Sequence, residues 1–289
     1  MKLILTNAAF PDLNLDALLD KAAALDFDGI ELATLHGQPD LGLTADFETR
    51  AEQVRARLAE TGRHIAAIHA GIFSPPAGSH RAHIPLALEQ TLRAAAAVGA
   101  PLVIISGADT SSGTDREELL QRYVAALPEP TLRAAELGVS LTLENTGVLS
   151  RTADLWYVHD AVGMPNLRVC LDPRRSTTAG DSPSFALTRL AGALSIVRLS
   201  EIDPTLAPED DHRFTPEVSA TNYAYLIELL RGLAYRGYLA ISPPHAAQQP
   251  PDDYFQTAAK AIRAELARPR VVLTAYKADK TGPRFVAQP

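Results

Sequence analysis

Eight short apolar runs, each followed by a longer helical pattern, restrict this chain to very few architectures. The runs are KLILT (2–6), GIELA (29–33), HIAAIHA (64–70), LVIISG (102–107), VSLTLEN (139–145), LRVCLD (167–172), SIVRLSE (195–201) and YLAIS (238–242). They are nearly continuous in apolar residues, the pattern of parallel strands covered on both faces. Between them lie LDALLDKAAALDF (15–27), DFETRAEQVRARLAETG (46–62), HIPLALEQTLRAAAAVG (83–99) and REELLQRYVAALPEPTLRAAELG (116–138). TADLWYVHDAVG (152–163), PSFALTRLAGAL (183–194), TNYAYLIELLRGLAYRG (221–237) and DYFQTAAKAIRAELA (253–267) follow. Gly62 and Gly99 read as C-caps, and Thr152, Ser182 and Thr221 as N-caps. Pro128 and Pro130 predict a kink or a split in the fourth helical segment.

Eight strands and eight helices in strict alternation predict an α/β chain closed into a (β/α)8 barrel. The barrel is expected as one domain over residues 1–268, with 269–289 as a C-terminal tail carrying its own short apolar run, VVLTAY. The competing architecture is an open doubly wound sheet. No GxGxxG or Walker-type phosphate loop follows any run, which counts against it.

The net charge of −7 argues against nucleic-acid or anionic-membrane partners, which select basic faces. The single cysteine, Cys170, excludes a disulfide within the chain and reads as a small core residue. The N-terminal apolar run is too short for a signal peptide, and no stretch approaches the ~20 apolar residues of a membrane span. A cytoplasmic protein is expected.

In a barrel of this kind, chemistry collects where strands end. The second run offers Glu31 and then His36. The third offers His69, the fourth Ser106, and the fifth Glu144 with Asn145. The sixth offers Asp172 followed by Arg174 and Arg175, the seventh Arg198, Ser200 and Glu201, and the eighth Ser242 and then His245. Buried carboxylates are costly unless paired, hydrogen-bonded or bound to metal. Glu144 and Asp172 therefore read either as partners of a neighbouring arginine or as ligand- or metal-binding groups. Glu31 could simply hold a loop, and His69 could be a satisfied core histidine. His64 opens the third strand and belongs at the opposite end of the barrel.

FDGIEL (27–32), LGVSLTLEN (137–145), NLRVCLD (166–172), SIVRLSEID (195–203) and RGYLAIS (236–242), in that order, resemble the xylose-isomerase-like TIM barrels. That superfamily includes sugar isomerases and epimerases and the apurinic endonuclease family 2, and the resemblance spans about residues 1–268. It implies a divalent metal (Mn, Mg, Co or Zn) held by a Glu on strand 5, an Asp on strand 6, a His on strand 7 and a Glu on strand 8. The two glutamates would be the acid/base pair that moves a proton next to a sugar carbonyl. By position the first two ligands are Glu144 and Asp172. The His falls on Arg198 and the last Glu on Ser242, while a further family His falls on Arg174 or Arg175. Arginine does not coordinate metals in such sites, and serine is a poor ligand and a poor base. The family's metal is thus not expected here. Arg198 is expected in its place, paired with Glu144 and Asp172. His212 and His245 are the remaining candidates for a substitute ligand.

The resemblance implies an isomerase- or epimerase-like protein binding a small carbohydrate or polyol, neutral or anionic, at the barrel mouth. Glu144 would be the catalytic group, with Glu31, His69, Asn145, Arg174, Arg198 and Glu201 around the ligand. The alternative is a binding or regulatory barrel without metal-dependent chemistry. An endonuclease role would need a histidine-rich zinc cluster and a basic face. A homo-oligomer is compatible with all of these readings.

Overall fold

The computed structural model describes residues 1–33, 50–77, 84–110, 114–200, 222–242, 252–269, 273–279 and 282–287. Its strands are β1 (Lys2–Thr6), β2 (Gly29–Leu32), β3 (His64–Phe73), β4 (Leu102–Gly107), β5 (Ser140–Glu144), β6 (Leu167–Leu171), β7 (Leu194–Ser200) and β8 (Tyr238–Ser242). They pair in parallel in chain order and close when β8 pairs with β1, with Leu3 opposite Leu239. The chain is therefore a (β/α)8 barrel.

The described helices are α1 (Leu15–Ala24), α2 (Ala51–Thr61), α3 (Leu86–Val98), α4 (Arg116–Ala126), α5 (Pro128–Glu136), α6 (Thr152–Val162), α7 (Pro173–Thr178), α8 (Pro183–Leu190), α9 (Tyr223–Gly232) and α10 (Asp252–Ala267). None is long and apolar enough to cross a membrane. After α10, β9 (Leu273–Asp279) and β10 (Gly282–Ala287) form an antiparallel hairpin where the sequence suggested only a tail.

Local chemistry explains most boundaries. Gly62 and Gly99 end α2 and α3 with φ of +64° and +79°, a conformation that costs glycine little. Ser182 Oγ accepts the Phe185 amide at the start of α8. The fourth helical segment is split at Leu127, because Pro128 lacks an amide and its ring opens α5 instead. Thr152 is not an N-cap. It is the first residue of α6, and its amide donates to Asp181 at 2.8 Å. Thr221 lies outside the described residues, and Asn222 caps α9 by accepting the Tyr225 amide.

Two apolar layers hold the barrel. The larger packs helices on the outer faces of the strands, with Phe27, Tyr123 and Phe255 as its largest fully buried side chains. The smaller includes Ile4, Ala67, Ile104, Cys170, Ile196 and Ala240. Each of these six lies two residues before a polar one: Thr6, His69, Ser106, Asp172, Arg198 and Ser242. Side chains on a strand repeat with period two, so the polar six form the next layer, at the strand ends.

Two glycines let the ends of β4 and β5 approach. A Cβ on Gly107 would overlap the Thr146 carbonyl oxygen. One on Gly147, at φ +53°, would overlap the Ala108 carbonyl oxygen. Gly107→Ala should therefore destabilise the fold by roughly 2–4 kcal/mol in chemical unfolding. A loss below about 0.5 kcal/mol would show that the backbone relaxes freely there.

Candidate functional site

The polar layer surrounds a cavity of about 430 Å³ at the C-terminal ends of the strands. Thr6, Glu31, His69, Glu144, Asp172, Arg175, Arg198, Ser200 and Ser242 are among its lining residues. Thr6, Glu144, Ser200 and Ser242 are each the last residue of their strand. His64 sits at the other end of the barrel, packed on the Tyr238 ring with centroids 5.5 Å apart.

Arg198 organises the floor. Its Nε donates to Glu144 Oε1 at 2.6 Å, and its Nη1 and Nη2 donate to the two Glu31 oxygens at 2.9 and 2.7 Å. Arg198, Glu31 and Glu144 are all buried, with exposures of 7%, 0% and 5%. Such forked, charge-assisted bonds in a water-poor setting are strong, and they compensate groups that would otherwise be costly to bury. The expected Arg198–Asp172 pair does not form; Glu31 takes that place. Asp172 is already held by other donors. Ser200 Oγ lies 3.0 Å from both of its oxygens, and the Arg174 amide donates at 2.9 Å.

The second oxygen of Glu144 is also engaged. Ser106 Oγ donates to Oε2 at 2.7 Å. His69 Nδ1 accepts the Gly71 amide at 3.0 Å, which leaves the ring proton on Nε2. That nitrogen lies 3.2 Å from Ser106 Oγ and 3.5 Å from Glu144 Oε2. Burial would raise the Glu144 carboxyl. The Arg198 charge, with His69 and Ser106, outweighs it and holds the group well below the usual carboxylate range. Asp172 behaves oppositely. Burial pushes its carboxyl up, and the Arg175 charge and Ser200 hydroxyl offset this only in part. One layer down, burial pushes the Cys170 thiol well up, so Cys170 packs as a core residue.

Other expected residues fall elsewhere. Asn145 lies beside the cavity and braces its wall. Its Nδ2 donates to the Asp172 carbonyl at 2.9 Å, and its Oδ1 accepts the Asp172 amide at 2.7 Å. Arg175, not Arg174, lines the cavity, with Nε 3.5 Å from Asp172 Oδ2. His36, Glu201, His212 and His245 lie outside the described residues. Ser106 and Ser200 were visible as strand-end residues, but no motif marked them as partners of Glu144 and Asp172.

Glu144, which the family resemblance marks as a metal ligand, pairs with Arg198 here. The Arg198 guanidinium already supplies the cation between Glu31 and Glu144. Among the described residues, no group of three or more His, Cys, Asp or Glu side chains is placed to hold a metal ion.

No curated protein sequence matches this chain. Solved structures do match over most of its length. The 3-keto-D-glucoside 4-epimerase of E. coli aligns with a TM-score of 0.69 at 20% identity, covering 90% of this chain and 98% of that one. The IolI protein with a bound zinc atom aligns at 0.67 and 17%, covering 92% and 96%. The D-psicose 3-epimerase of Clostridium cellulolyticum H10, solved with D-tagatose, aligns at 0.68 and 15%, covering 92% and 97%. These likenesses establish the fold. The family model for the xylose isomerase-like TIM barrel matches residues 19–265. With its closed eight-stranded barrel and its polar layer at the strand ends, the chain belongs to the xylose isomerase-like TIM barrel family.

Proposed function

We propose that this protein binds a small carbohydrate or polyol in the cavity at the C-terminal mouth, with Arg198 standing where the family's epimerases hold a divalent metal. The observation that carries this is the buried Glu31–Arg198–Glu144 cluster on the cavity floor. The lining suits hydroxyl groups. Carboxylate oxygens accept from them, His69 Nε2 donates, and the serine hydroxyls at 106, 200 and 242 donate or accept. Fold and family support the substrate class, since sugar epimerases are among the structural neighbours.

If proton transfer occurs, Glu144 is the acceptor, as the family resemblance implies. Its environment favours the second reading, binding without turnover. A carboxylate held well below its usual range, with both oxygens hydrogen-bonded, is a weak base.

Calorimetric titration tests the binding reading. D-tagatose, D-fructose or D-glucitol should bind with a Kd of about millimolar or tighter. Glu144→Ala should weaken this by roughly tenfold or more, having removed an acceptor and left Arg198 short of a partner. Absence of heat with all three sugars, together with no thermal shift, would remove the carbohydrate reading.

A further inference from the structure

We infer that the ligand carries a carboxylate and that Arg175 receives it, so that the cavity selects a polyhydroxy monocarboxylate, a sugar acid, over the matching neutral polyol. This deepens, and rests on, the reading of the cavity as a carbohydrate site.

Among the described residues, two guanidiniums line the cavity, and they differ sharply. Arg198 is spent: its Nε, Nη1 and Nη2 all donate to Glu144 or Glu31. Arg175 is not. Among the described residues, its guanidinium makes no hydrogen bond within the protein. Its Nε is buried without a hydrogen-bond acceptor and forms a long ion pair with Asp172 Oδ2 at 3.5 Å. Nε, closed to solvent, is equally closed to a ligand oxygen, so the donors left for a ligand are the terminal Nη1 and Nη2. The side chain is 37% exposed and lines the cavity. Its planar fork matches a carboxylate with two parallel bonds.

The root of Arg175 is fixed as well. Asp172 caps α7 by accepting the Arg174 amide, and Asn145 clamps the Asp172 backbone from β5. A side chain on such a base holds its direction better than one on a free loop.

Charge decides between a carboxylate and a phosphate. Among the described residues, three carboxylates line the cavity (Glu31, Glu144 and Asp172) against the two guanidiniums. That surplus penalises a phosphate, at close to two negative charges, more than a carboxylate with one. Glu31 and Glu144 are paired with Arg198, which blunts their charge toward a monoanion.

Three compounds that differ only at C1 test this: D-gluconate (carboxylate), D-glucitol (hydroxymethyl) and D-glucamine (ammonium methyl). Calorimetry on the full chain near neutral pH should show gluconate binding about tenfold or more tighter than glucitol, with glucamine weakest. Arg175→Gln should bring gluconate down to the affinity of glucitol and leave glucitol nearly unchanged. Arg175→Lys, which keeps the charge without the fork, should fall between. The affinity ratio is the readout, because misfolding would lower both affinities alike. Equal binding of gluconate and glucitol by the native chain would overturn the inference, as would a ratio that survives Arg175→Gln. Tightest binding of glucamine would also overturn it, showing that the carboxylate surplus governs. Those three outcomes leave the carbohydrate site standing. No binding of any of the three would remove both.

Discussion

Arg198→Met should cost about 3–5 kcal/mol of folding stability at about pH 7. Methionine fills similar volume and is tolerated in cores, so the loss is electrostatic rather than a cavity effect. It leaves Glu31 and Glu144 buried, facing each other, without the cation that satisfies three of their four oxygens. The pH dependence gives the mechanism away. In the native chain the Glu144 carboxyl lies well below its ordinary value of 4.5. Its pairing therefore adds stability that is fully present above the unfolded value and is lost as pH falls through the folded one. Without Arg198 only burial and weaker donors act on it, and the folded value rises. Its contribution then runs the other way, favourable at low pH and lost as pH climbs. The gap between native and variant should be widest near neutrality and should narrow toward about pH 4.5. Adding Glu31→Gln and Glu144→Gln to Arg198→Met should recover much of the loss, because the orphaned charges are gone. Urea unfolding at the two pH values measures all of this. A loss under about 1 kcal/mol at neutral pH, or a gap that does not narrow, would mean the cluster is not a buried ion network.

The sequence reached the barrel and most of its polar layer for the same reason: both are local. VSLTLEN has an inward-facing period of two, so a carboxylate at its end had to join the layer above Thr142. Gly62 and Gly99 marked helix ends through backbone demands that no neighbour alters. What stayed hidden depends on closure and rotation. Glu31 and Arg198 are 167 residues apart and meet only across the closed barrel. The β2–β3 and β6–β7 registers each shift by one irregular step, between Ile30 and Glu31 and between Val169 and Cys170. Such steps decide which residues stand opposite each other near the strand ends, and a single sequence does not show them. The choice between Arg174 and Arg175 turned on rotation. Successive residues on a helix point about 100° apart, so an error of one position moves a side chain off the cavity. The Thr152 cap failed similarly: the helix starts one residue earlier than that role requires, and Asp181 satisfies its amide from elsewhere.

Arg198→His combined with Ser242→Glu should turn the floor of the cavity into a divalent-metal site. By the family resemblance Glu144 and Asp172 would stand in the positions of two family ligands, and Ser242 lines the same cavity. Ser242 pairs with Ser200 in the β7–β8 register, and Arg198 pairs with Ala240 two residues below. Both substituted side chains would therefore face the space between Glu144 and Asp172. The substitutions remove the guanidinium that pairs with Glu144 and add an imidazole and a carboxylate, which divalent Mn or Zn accepts as ligands. Mn²⁺ affinity should rise by roughly a hundredfold or more over the native chain, read by calorimetry. Purified native protein should carry no stoichiometric divalent metal in elemental analysis. Loss of the Arg198 ion pairs will weaken the double variant, so the metal should also act on folding. At about 100 times its Kd, a ligand bound only by the folded state adds about 2.7 kcal/mol, enough to raise the unfolding midpoint visibly. Mn²⁺ should stabilise the double variant and leave the native chain unmoved. Arg198→His alone should gain much less affinity, since three ligands from rigid strands hold a metal more loosely than four. A double variant that folds but gains no affinity would place Ser242 outside reach of Glu144, and the strand-8 correspondence would be wrong. About one metal per native chain would be as damaging, because Glu144 is already paired with Arg198 and a dication bound to the same carboxylate would be repelled by that guanidinium.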